Sequence, residues 1–259
     1  MMMLNPNDSE LPQFTVKNSN NEIEVPGDDY RDTPGNAETE RLLAKIDTFR
    51  KGQDKQSLLI TSAILGEGKS TISARIATSS ARNRKNPTLL IDFDLRRPRI
   101  HQVFNLEKER GVADILSNRL SFESCIKNSR VPNLKILTSG VLRYSPMEVF
   151  NAEKAKRFFH EAHKYFDFII VDSPPIIPVS DPIILGKVVN YVVLVVKAGA
   201  TSKRIIKRAL EMMQSVEVNV CGIIINNMNN VLPYYYDYKH YGYHYYDSNN
   251  NGRTDLVSA

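Results

Sequence analysis

Six short apolar runs, separated by stretches with helical spacing, limit what this chain can fold into more than any other feature of its sequence. Several runs are apolar at successive positions, so both faces of each predicted strand must be covered. Repeated alternation of such strands with helices predicts a doubly wound α/β fold, with a mainly parallel sheet and helices on both faces. The predicted strands are 57–63, 88–94, 134–140, 167–173, 190–197 and 220–226.

Three segments show the apolar spacing of a helix. The first runs from Asn36, a candidate N-cap, to about Phe49, and the others cover 151–166 and 201–215. In a doubly wound sheet, ligands bind in the crevice at the carboxyl ends of the strands. The residues that follow each predicted strand are therefore the first candidates for a functional site.

Composition divides the chain into three parts. Residues 1–35 are rich in Asn, Asp, Pro and Gly without an apolar period, which predicts a flexible arm, while 36–230 form the predicted domain and 231–259 a tail. No apolar run approaches the roughly 20 residues of a membrane helix, and the first residues lack the pattern of a signal peptide. We therefore expect a cytoplasmic protein in which Cys125 and Cys221 are reduced thiols.

The segment after the first predicted strand, 63-AILGEGKST-71, has the spacing of a phosphate-binding P-loop, with an alanine in place of the first glycine. In such a loop, Gly66 and Gly68 let backbone N–H groups face phosphate oxygens at the positive end of a helix. Lys69 is expected to reach the β- and γ-phosphates, and the Ser70 hydroxyl to bind Mg²⁺. The candidate nucleotide-binding residues are Gly66, Glu67, Gly68, Lys69, Ser70, Thr71 and Asn226.

Three aspartates follow or end predicted strands. Asp92 and Asp94 share one face of a strand, which is costly unless a cation or a substrate proton lies between them. Asp172 ends an apolar run of the Walker B type, whose aspartate binds Mg²⁺ directly or through water. The candidate catalytic residues are Lys69, Asp92, Asp94 and Asp172, and the candidate metal ligands are Ser70, Asp92 and Asp172.

The tail contains eight of the twelve tyrosines of the chain within 233–247. The net charge of +5 invites a nucleic-acid interpretation, but this run holds one lysine and no arginine, so we expect no nucleic acid to bind it. An extended tail can enter an active site one tyrosine at a time. Attack on the γ-phosphate by water would make an ATPase, and attack by a tyrosine would make a kinase. The candidate acceptors are Tyr234, Tyr235, Tyr236, Tyr238, Tyr241, Tyr243, Tyr245 and Tyr246.

The chain resembles the bacterial tyrosine kinases of capsule and exopolysaccharide synthesis. The resemblance rests on four features together: the P-loop, 89-LLIDFDLRRP-98, 168-FIIVDSPP-175 and the terminal tyrosine cluster. The resemblance covers about 36–246 and includes 139-SGVLRYSPMEVF-150 and 179-VSDPIIL-185. It implies a P-loop fold related to MinD and ParA, ATP and Mg²⁺ as cofactors, and autophosphorylation of the tail. It also implies that Asp92 and Asp94 handle Mg²⁺ and activate the tyrosine hydroxyl, without assigning either role to one of them.

The same resemblance implies partners. We expect a homo-oligomer in which the tail of one subunit enters a neighbour's site, a membrane activator of the polysaccharide co-polymerase type, and a tyrosine phosphatase. The activator would hold the protein at the inner face of the cell membrane. The family's assembly helix carries E-x-x-R-x-x-R, of which Glu38 and Arg41 are present but Ala44 departs. A basic cluster, like one in the family, offers a docking surface for phosphotyrosine or is a solvated helix face, and consists of Lys203, Arg204, Lys207 and Arg208.

The alternative function is that of a MinD/ParA-like regulatory ATPase without kinase activity. Proteins of that class carry an additional lysine early in the P-loop, where this chain has Ile64. This difference and the tyrosine tail both favour the kinase.

Overall fold

The computed structural model describes residues 3–4, 34–49, 55–83, 87–143 and 145–227. Within these ranges, the strands are β1 (Met3–Leu4), β2 (Gln56–Ser62), β3 (Thr88–Asp92), β4 (Lys127–Asn128), β5 (Leu134–Leu137), β6 (Phe168–Asp172), β7 (Tyr191–Lys197) and β8 (Val220–Asn226). The helices are α1 (Pro34–Phe49), α2 (Lys69–Asn83), α3 (Ile100–Val103), α4 (Val112–Leu116), α5 (Phe122–Cys125), α6 (Pro146–Val149), α7 (Ala152–Ala162), α8 (Asp181–Gly186) and α9 (Lys203–Gln214).

The described strands form one sheet in the order β1-β8-β7-β2-β6-β3-β5-β4. The six inner strands are parallel, and the short strands β1 and β4 add to the two edges in antiparallel orientation. This arrangement confirms the predicted mainly parallel α/β sheet. It also places the carboxyl ends of β2, β6 and β3 side by side.

Two findings differ from the predicted flexible arm over 1–35. Residues Met3 and Leu4 pair with Ile224 and Ile223 of β8, and α1 begins at Pro34 rather than at Asn36. The backbone N–H and C=O groups on the outer edge of β8 need partners, and an extended segment supplies them. A strand of two residues is too short to show an alternating apolar pattern, so the sequence did not predict β1.

Helices cover both faces of the sheet. Neighbouring residues of the inner strands point to opposite faces, and both faces carry apolar side chains that must be buried. On β2, Leu58 and Ile60 belong to the cluster that contains residues of α1, α2 and α3. Leu59 belongs to the opposite cluster, which contains residues of α4, α7, α8 and α9. All seven residues of β2 are buried, as the apolar runs on both faces predicted.

Strands β2 and β6 end one residue earlier than predicted, β3 ends two residues earlier and β5 three. At β5, the loop takes over the backbone hydrogen bonds. The segment after β5 pairs with the start of α4 instead of extending the sheet: Val112 N–H donates to Thr138 O at 2.9 Å, and Ala113 N–H donates to Ser139 O at 2.9 Å. Only glycine fits at position 111, where a Cβ would lie 2.1 Å from Thr138 O. The predicted strand 134–140 therefore stops at Leu137.

Side-chain caps set the N-terminal ends of two of the three predicted helices, α7 and α9. The Asn151 side chain accepts a hydrogen bond from Lys154 N–H at 2.9 Å, and the Ser202 side chain accepts one from Ile205 N–H. A side-chain oxygen at this position satisfies a backbone donor that the first helical turn leaves unpaired. As a result, α7 begins at Ala152 and α9 at Lys203.

The residue between the two predicted catalytic aspartates, Phe93, is the centre of an aromatic cluster beneath the carboxyl edge of the sheet. It is 1% exposed, and its ring centroid lies 5.1 Å from that of Phe150, 5.4 Å from that of Phe158 and 6.4 Å from that of Phe159. Such edge-to-face and stacked contacts add to the free energy gained by burying the rings. The cluster therefore anchors the loop that carries the aspartates.

We expect Phe93→Ala to lower the free energy of unfolding by about 3–5 kcal/mol, because the substitution leaves a cavity that the surrounding rings fill only partly. Denaturant unfolding followed by circular dichroism measures this loss. Tyr165→Phe is the control: Tyr165 is 46% exposed, and its unfolding midpoint should stay close to that of the unmodified chain. Equal midpoints for Phe93→Ala and the control would contradict the anchoring role.

Candidate active site

The loop after β2 has the geometry of a phosphate cradle. It leads from β2, in the middle of the sheet, into α2, where the first helical hydrogen bond runs from Ile72 N–H to Gly68 O at 3.0 Å. Gly66 and Gly68 adopt φ angles of 81° and 87°, a region that glycine enters without steric cost. The unpaired N–H groups at the start of a helix bind anions. Lys69, Ser70 and Thr71, all predicted to bind nucleotide, occupy this first turn.

The Glu67 side chain stabilises the loop from beneath. It is 2% exposed, and its carboxylate accepts hydrogen bonds from Ile64 N–H at 2.9 Å and Lys197 N–H at 3.3 Å, and another from the Thr201 hydroxyl. The carboxylate therefore ties the P-loop to the turn between β7 and α9. Glu67 was predicted to bind nucleotide. The structure adds a contact that the sequence did not indicate, the hydrogen bond from the Thr201 hydroxyl to the Glu67 carboxylate.

Asn226 reaches the P-loop from the end of β8. Its side-chain amide donates to Glu67 O at 3.0 Å, and its Nδ2 would lie 2.2 Å from a Cβ at Gly68. The structure thus brings the predicted residue to the loop. The absence of a side chain at Gly68 makes this approach possible.

The four predicted catalytic residues meet at the carboxyl edge of the sheet. Asp92 and Asp172 are register partners in β3 and β6, and Phe93 N–H donates to Asp172 O at 2.7 Å. The Lys69 ammonium lies 3.1 Å from Asp94 Oδ2, and both side chains are largely buried. A lysine from the P-loop and carboxylates from two further strand ends therefore share one small region.

The paired aspartates also shape their own loop. Asp92 Oδ2 accepts hydrogen bonds from the N–H groups of Arg99 and Ile100, each at 3.0 Å, and Asp92 Oδ1 accepts one from Asp94 N–H at 3.3 Å. Asp94 Oδ1 accepts a bond from Arg97 N–H at 2.9 Å. These bonds bend the chain out of the sheet, which is why β3 ends at Asp92 rather than at 94.

Burial and mutual repulsion change the acidity of these carboxyls. Burial, followed by the nearby Asp172, raises the pKa of Asp92 well above its usual value, against the Ile100 N–H bond. Burial raises the pKa of Asp172 to about 6, against the opposing effects of Lys69 and the Ser70 hydroxyl. A cation placed between buried carboxylates relieves both effects.

The side chains present fit Mg²⁺ when nucleotide oxygens and water complete its shell. Asp172 Oδ1 accepts a hydrogen bond from the Ser73 hydroxyl at 3.2 Å, but the buried Oδ2 has no hydrogen-bond partner in the described part of the chain. In those same residues, no three His, Cys, Asp or Glu side chains form a metal site by themselves. Mg²⁺ typically uses one or two carboxylates together with phosphate oxygens and waters, so Asp172 and Ser70 suffice on the protein side.

Known proteins match this chain in sequence and in fold. A family model described as ParA, NUBPL iron-transfer P-loop NTPase, matches residues 53–245. The chain is 35% identical over 208 residues to the tyrosine-protein kinase YwqD of Bacillus subtilis, an alignment that spans 80% of this chain and 86% of the relative. The chain belongs to the bacterial tyrosine kinase family. It is an enzyme that transfers a phosphoryl group from ATP to protein tyrosine.

Two further comparisons agree with this assignment. The kinase is 35% identical over 185 residues to the putative tyrosine-protein kinase CapB of Staphylococcus aureus. This alignment covers 70% of this chain and 81% of CapB. The crystal structure of the chimerical protein CapA2B2 superposes with a TM-score of 0.75 at 26% identity, covering 83% of this chain and 93% of that one. The predicted family resemblance is confirmed.

A further ion pair joins the aspartate loop of the kinase to the segment after β6. Arg96 Nε lies 3.2 Å from Asp181 Oδ2, and Asp181 begins α8. Asp181 lies in the segment 179–185, which resembles the family, but no sequence pattern indicates Arg96 as its partner. The pair connects the ends of β3 and β6 on the outside of the site.

The predicted assembly and docking residues lie on helices α1 and α9, and α9 begins directly after the turn that contacts Glu67. Arg41 and Ala44 are exposed on α1, and the Glu38 side chain lies outside the described part of the kinase. The basic cluster predicted on α9 is exposed, and Ala209 and Met213 are buried on the opposite face. The eight tail tyrosines follow residue 227 and lie outside the described residues. None of the helices described is both long enough and apolar enough to span a membrane.

The two P-loop glycines of the kinase allow a matched test. Ala at either position must adopt a left-handed φ, which costs about 1–2 kcal/mol, but only at Gly68 does the new Cβ collide with Asn226. We expect Gly68→Ala to weaken binding of a fluorescent ATP analogue about tenfold more than Gly66→Ala, because the Asn226–Glu67 hydrogen bond is also lost.

The double variant Gly68→Ala/Asn226→Ala supplies the control for this comparison. It removes the collision but leaves the hydrogen bond broken, so its affinity should lie no higher than that of Asn226→Ala alone. Equal affinities for Gly66→Ala and Gly68→Ala would show that Asn226 does not support the loop.

Proposed function

We propose that this kinase phosphorylates the tyrosines of its own C-terminal tail, that the transfer occurs between subunits, and that it regulates capsule or exopolysaccharide synthesis. The observation that carries the proposal is the convergence of Lys69, Asp92, Asp94 and Asp172 at one sheet edge. The chain that contains this site ends in a tyrosine-rich segment, 233–247.

The residues of the site have separate roles in phosphoryl transfer. The Lys69 ammonium lies 3.1 Å from Asp94 Oδ2. The phosphates of ATP compete for this ammonium and draw it away from the carboxylate. A carboxylate released in this way is a stronger acceptor for the tyrosine proton. The tyrosine oxygen forms a bond to the γ-phosphorus while the bond between that phosphorus and the bridging oxygen breaks. ADP leaves, and the hydroxyl proton passes to Asp94 or Asp92.

The proposed cation site consists of Ser70 and Asp172, with Asp92 beside them. Asp172 Oδ2 is one of several buried oxygens that lack a hydrogen-bond partner among the described residues, and its place beside the P-loop supports its role as a ligand. When bound, Mg²⁺ supplies positive charge that stabilises the phosphate oxygens. Asp92 already accepts three backbone hydrogen bonds, so it mainly holds the loop and contributes charge.

The tail leaves the domain close to the site. The described chain ends at Asn227, directly after Asn226, which contacts the P-loop. The segment from Asn226 to Tyr234 spans roughly 26 Å when extended, and the proposed transfer between subunits requires a neighbour's site within this reach. Glu38 and Arg41 on α1 are the proposed assembly contacts, with Ala44 as the departure from the family pattern.

Partners complete the proposal. A membrane activator of the polysaccharide co-polymerase type would hold the kinase at the inner face of the cell membrane, and a tyrosine phosphatase would reverse the modification. The exposed basic cluster on α9 provides guanidinium and ammonium donors for an acidic or phosphotyrosine-containing segment.

Intact-mass measurement after incubation with ATP and Mg²⁺ tests the proposal. We expect stepwise phosphate additions to the chain without substitutions. Lys69→Met should gain none, because the phosphates of ATP lose their positive partner. A variant whose eight tail tyrosines are all phenylalanine should also gain none, because it lacks the acceptors. A fragment of the membrane activator is added in a parallel series.

Mixing the last two variants tests the transfer between subunits. Lys69→Met supplies tyrosines without activity, and the phenylalanine variant supplies activity without acceptors, so phosphate on the Lys69→Met chain requires transfer in trans. Phosphate on neither chain, with the unmodified protein active, would contradict the trans mechanism. Free phosphate without protein phosphorylation, with and without activator, would favour the MinD/ParA-like regulatory ATPase.

A further inference from the structure

Two large apolar side chains are exposed at the carboxyl edge of the sheet, on either side of the candidate site. Leu65 is 47% exposed in the P-loop after β2, and Val141 is 39% exposed in the loop after β5. The remaining exposed large apolar or aromatic side chain of the described residues is Tyr165, at the end of α7 near the opposite edge. Single exposed apolar side chains are common on protein surfaces, so what distinguishes these two is their position in loops at the same sheet edge as the site.

The strand order gives the approximate spacing between the two strands whose loops carry these side chains. The strands run β2, β6, β3, β5, so β6 and β3, with the aspartates, lie between the loops that carry Leu65 and Val141. Neighbouring strands are about 4.8 Å apart, which makes the distance across three steps about 14 Å. An extended chain that lies across this edge covers the same distance in about four residues.

The tail carries a matching pattern. In an extended chain, alternate side chains point to the same side, so residues two positions before and after an acceptor face the protein together with it. Tyrosines at this spacing form two triplets: Tyr234, Tyr236 and Tyr238, and then Tyr241, Tyr243 and Tyr245. Tyr236 and Tyr243 are the only tail tyrosines with another tyrosine at both flanking positions.

We propose that Leu65 and Val141 are acceptor-binding residues that contact the aromatic rings two positions before and after the tyrosine that is phosphorylated. The inference rests on the proposed tail phosphorylation and adds its specificity. With the central tyrosine above Asp92 and Asp172, one flanking ring packs on Leu65 and the other on Val141. The middle residue of each triplet, Tyr236 or Tyr243, is then the preferred first acceptor.

The flanking rings act through their apolar surface, so phenylalanine replaces them but alanine does not. Covering roughly 40 Å² of apolar surface on each side corresponds to about a fivefold effect per flank. Initial rates at each tyrosine, measured by fragmentation mass spectrometry, should be highest at Tyr236 and Tyr243. Tyr234→Ala/Tyr238→Ala should slow phosphorylation of Tyr236 by about 25-fold, the product of the two flank effects. The matched variant Tyr234→Phe/Tyr238→Phe should stay within about twofold of the unmodified rate.

The same comparison in a Leu65→Ser/Val141→Ser background identifies the surface that binds the rings. We expect the difference between the alanine and phenylalanine tails to shrink there towards equality, and the affinity for a fluorescent ATP analogue is measured beside it. Equal effects of the two tails in the unmodified domain, or equal initial rates at all eight tyrosines, would overturn the inference while leaving the kinase proposal intact. A uniform loss of rate that follows weaker ATP binding would assign Leu65 to the nucleotide site and also overturn it. Absence of any tail phosphate would overturn both proposals.

Discussion

Parallel pairing of β3 and β6 beside β2 is the constraint on which the site depends. Asp92 lies opposite Asp172 in this pairing, and both follow residues that are buried on both faces of the sheet. Because side chains alternate along a strand, a slip of one residue would turn one of these carboxyls to the other face of the sheet. The hydrophobic packing of the strands therefore sets the positions of the charged groups.

Burying three carboxylates side by side costs free energy, and a bound positive charge would recover part of that cost. Asp92, Asp94 and Asp172 are each at most 1% exposed, and burial raises the pKa of Asp92 and of Asp172. Lys69 offsets part of the negative charge, and backbone N–H groups offset part of it around Asp92. Buried carboxylates that remain in close contact favour the arrival of positive charge. The fold thus concentrates buried negative charge beside the P-loop, an arrangement that suits a cation brought in with the nucleotide.

The sequence predicted those parts of the fold that depend on local patterns. Runs that are apolar at successive positions located the inner strands, and the P-loop spacing located the phosphate cradle. Contacts between distant residues were not predictable in this way. Glu67 meets Thr201 across 134 positions, and the pattern around Thr201 shows only a helix start. The end of β5 depends on the close approach of Gly111 to Thr138, which no periodicity announces.

The Glu67 contacts explain how distant parts of the sheet act on the P-loop. Its carboxylate binds the turn that leads into α9, and its carbonyl binds Asn226 at the end of β8, one residue before the described chain ends. The basic helix and the origin of the tail are therefore joined to the same loop. Under the proposed tail phosphorylation, each phosphotyrosine would add roughly −1.5 to −2 charges. The buried carboxylates would then repel the modified tail, and the exposed basic cluster of α9 would attract it.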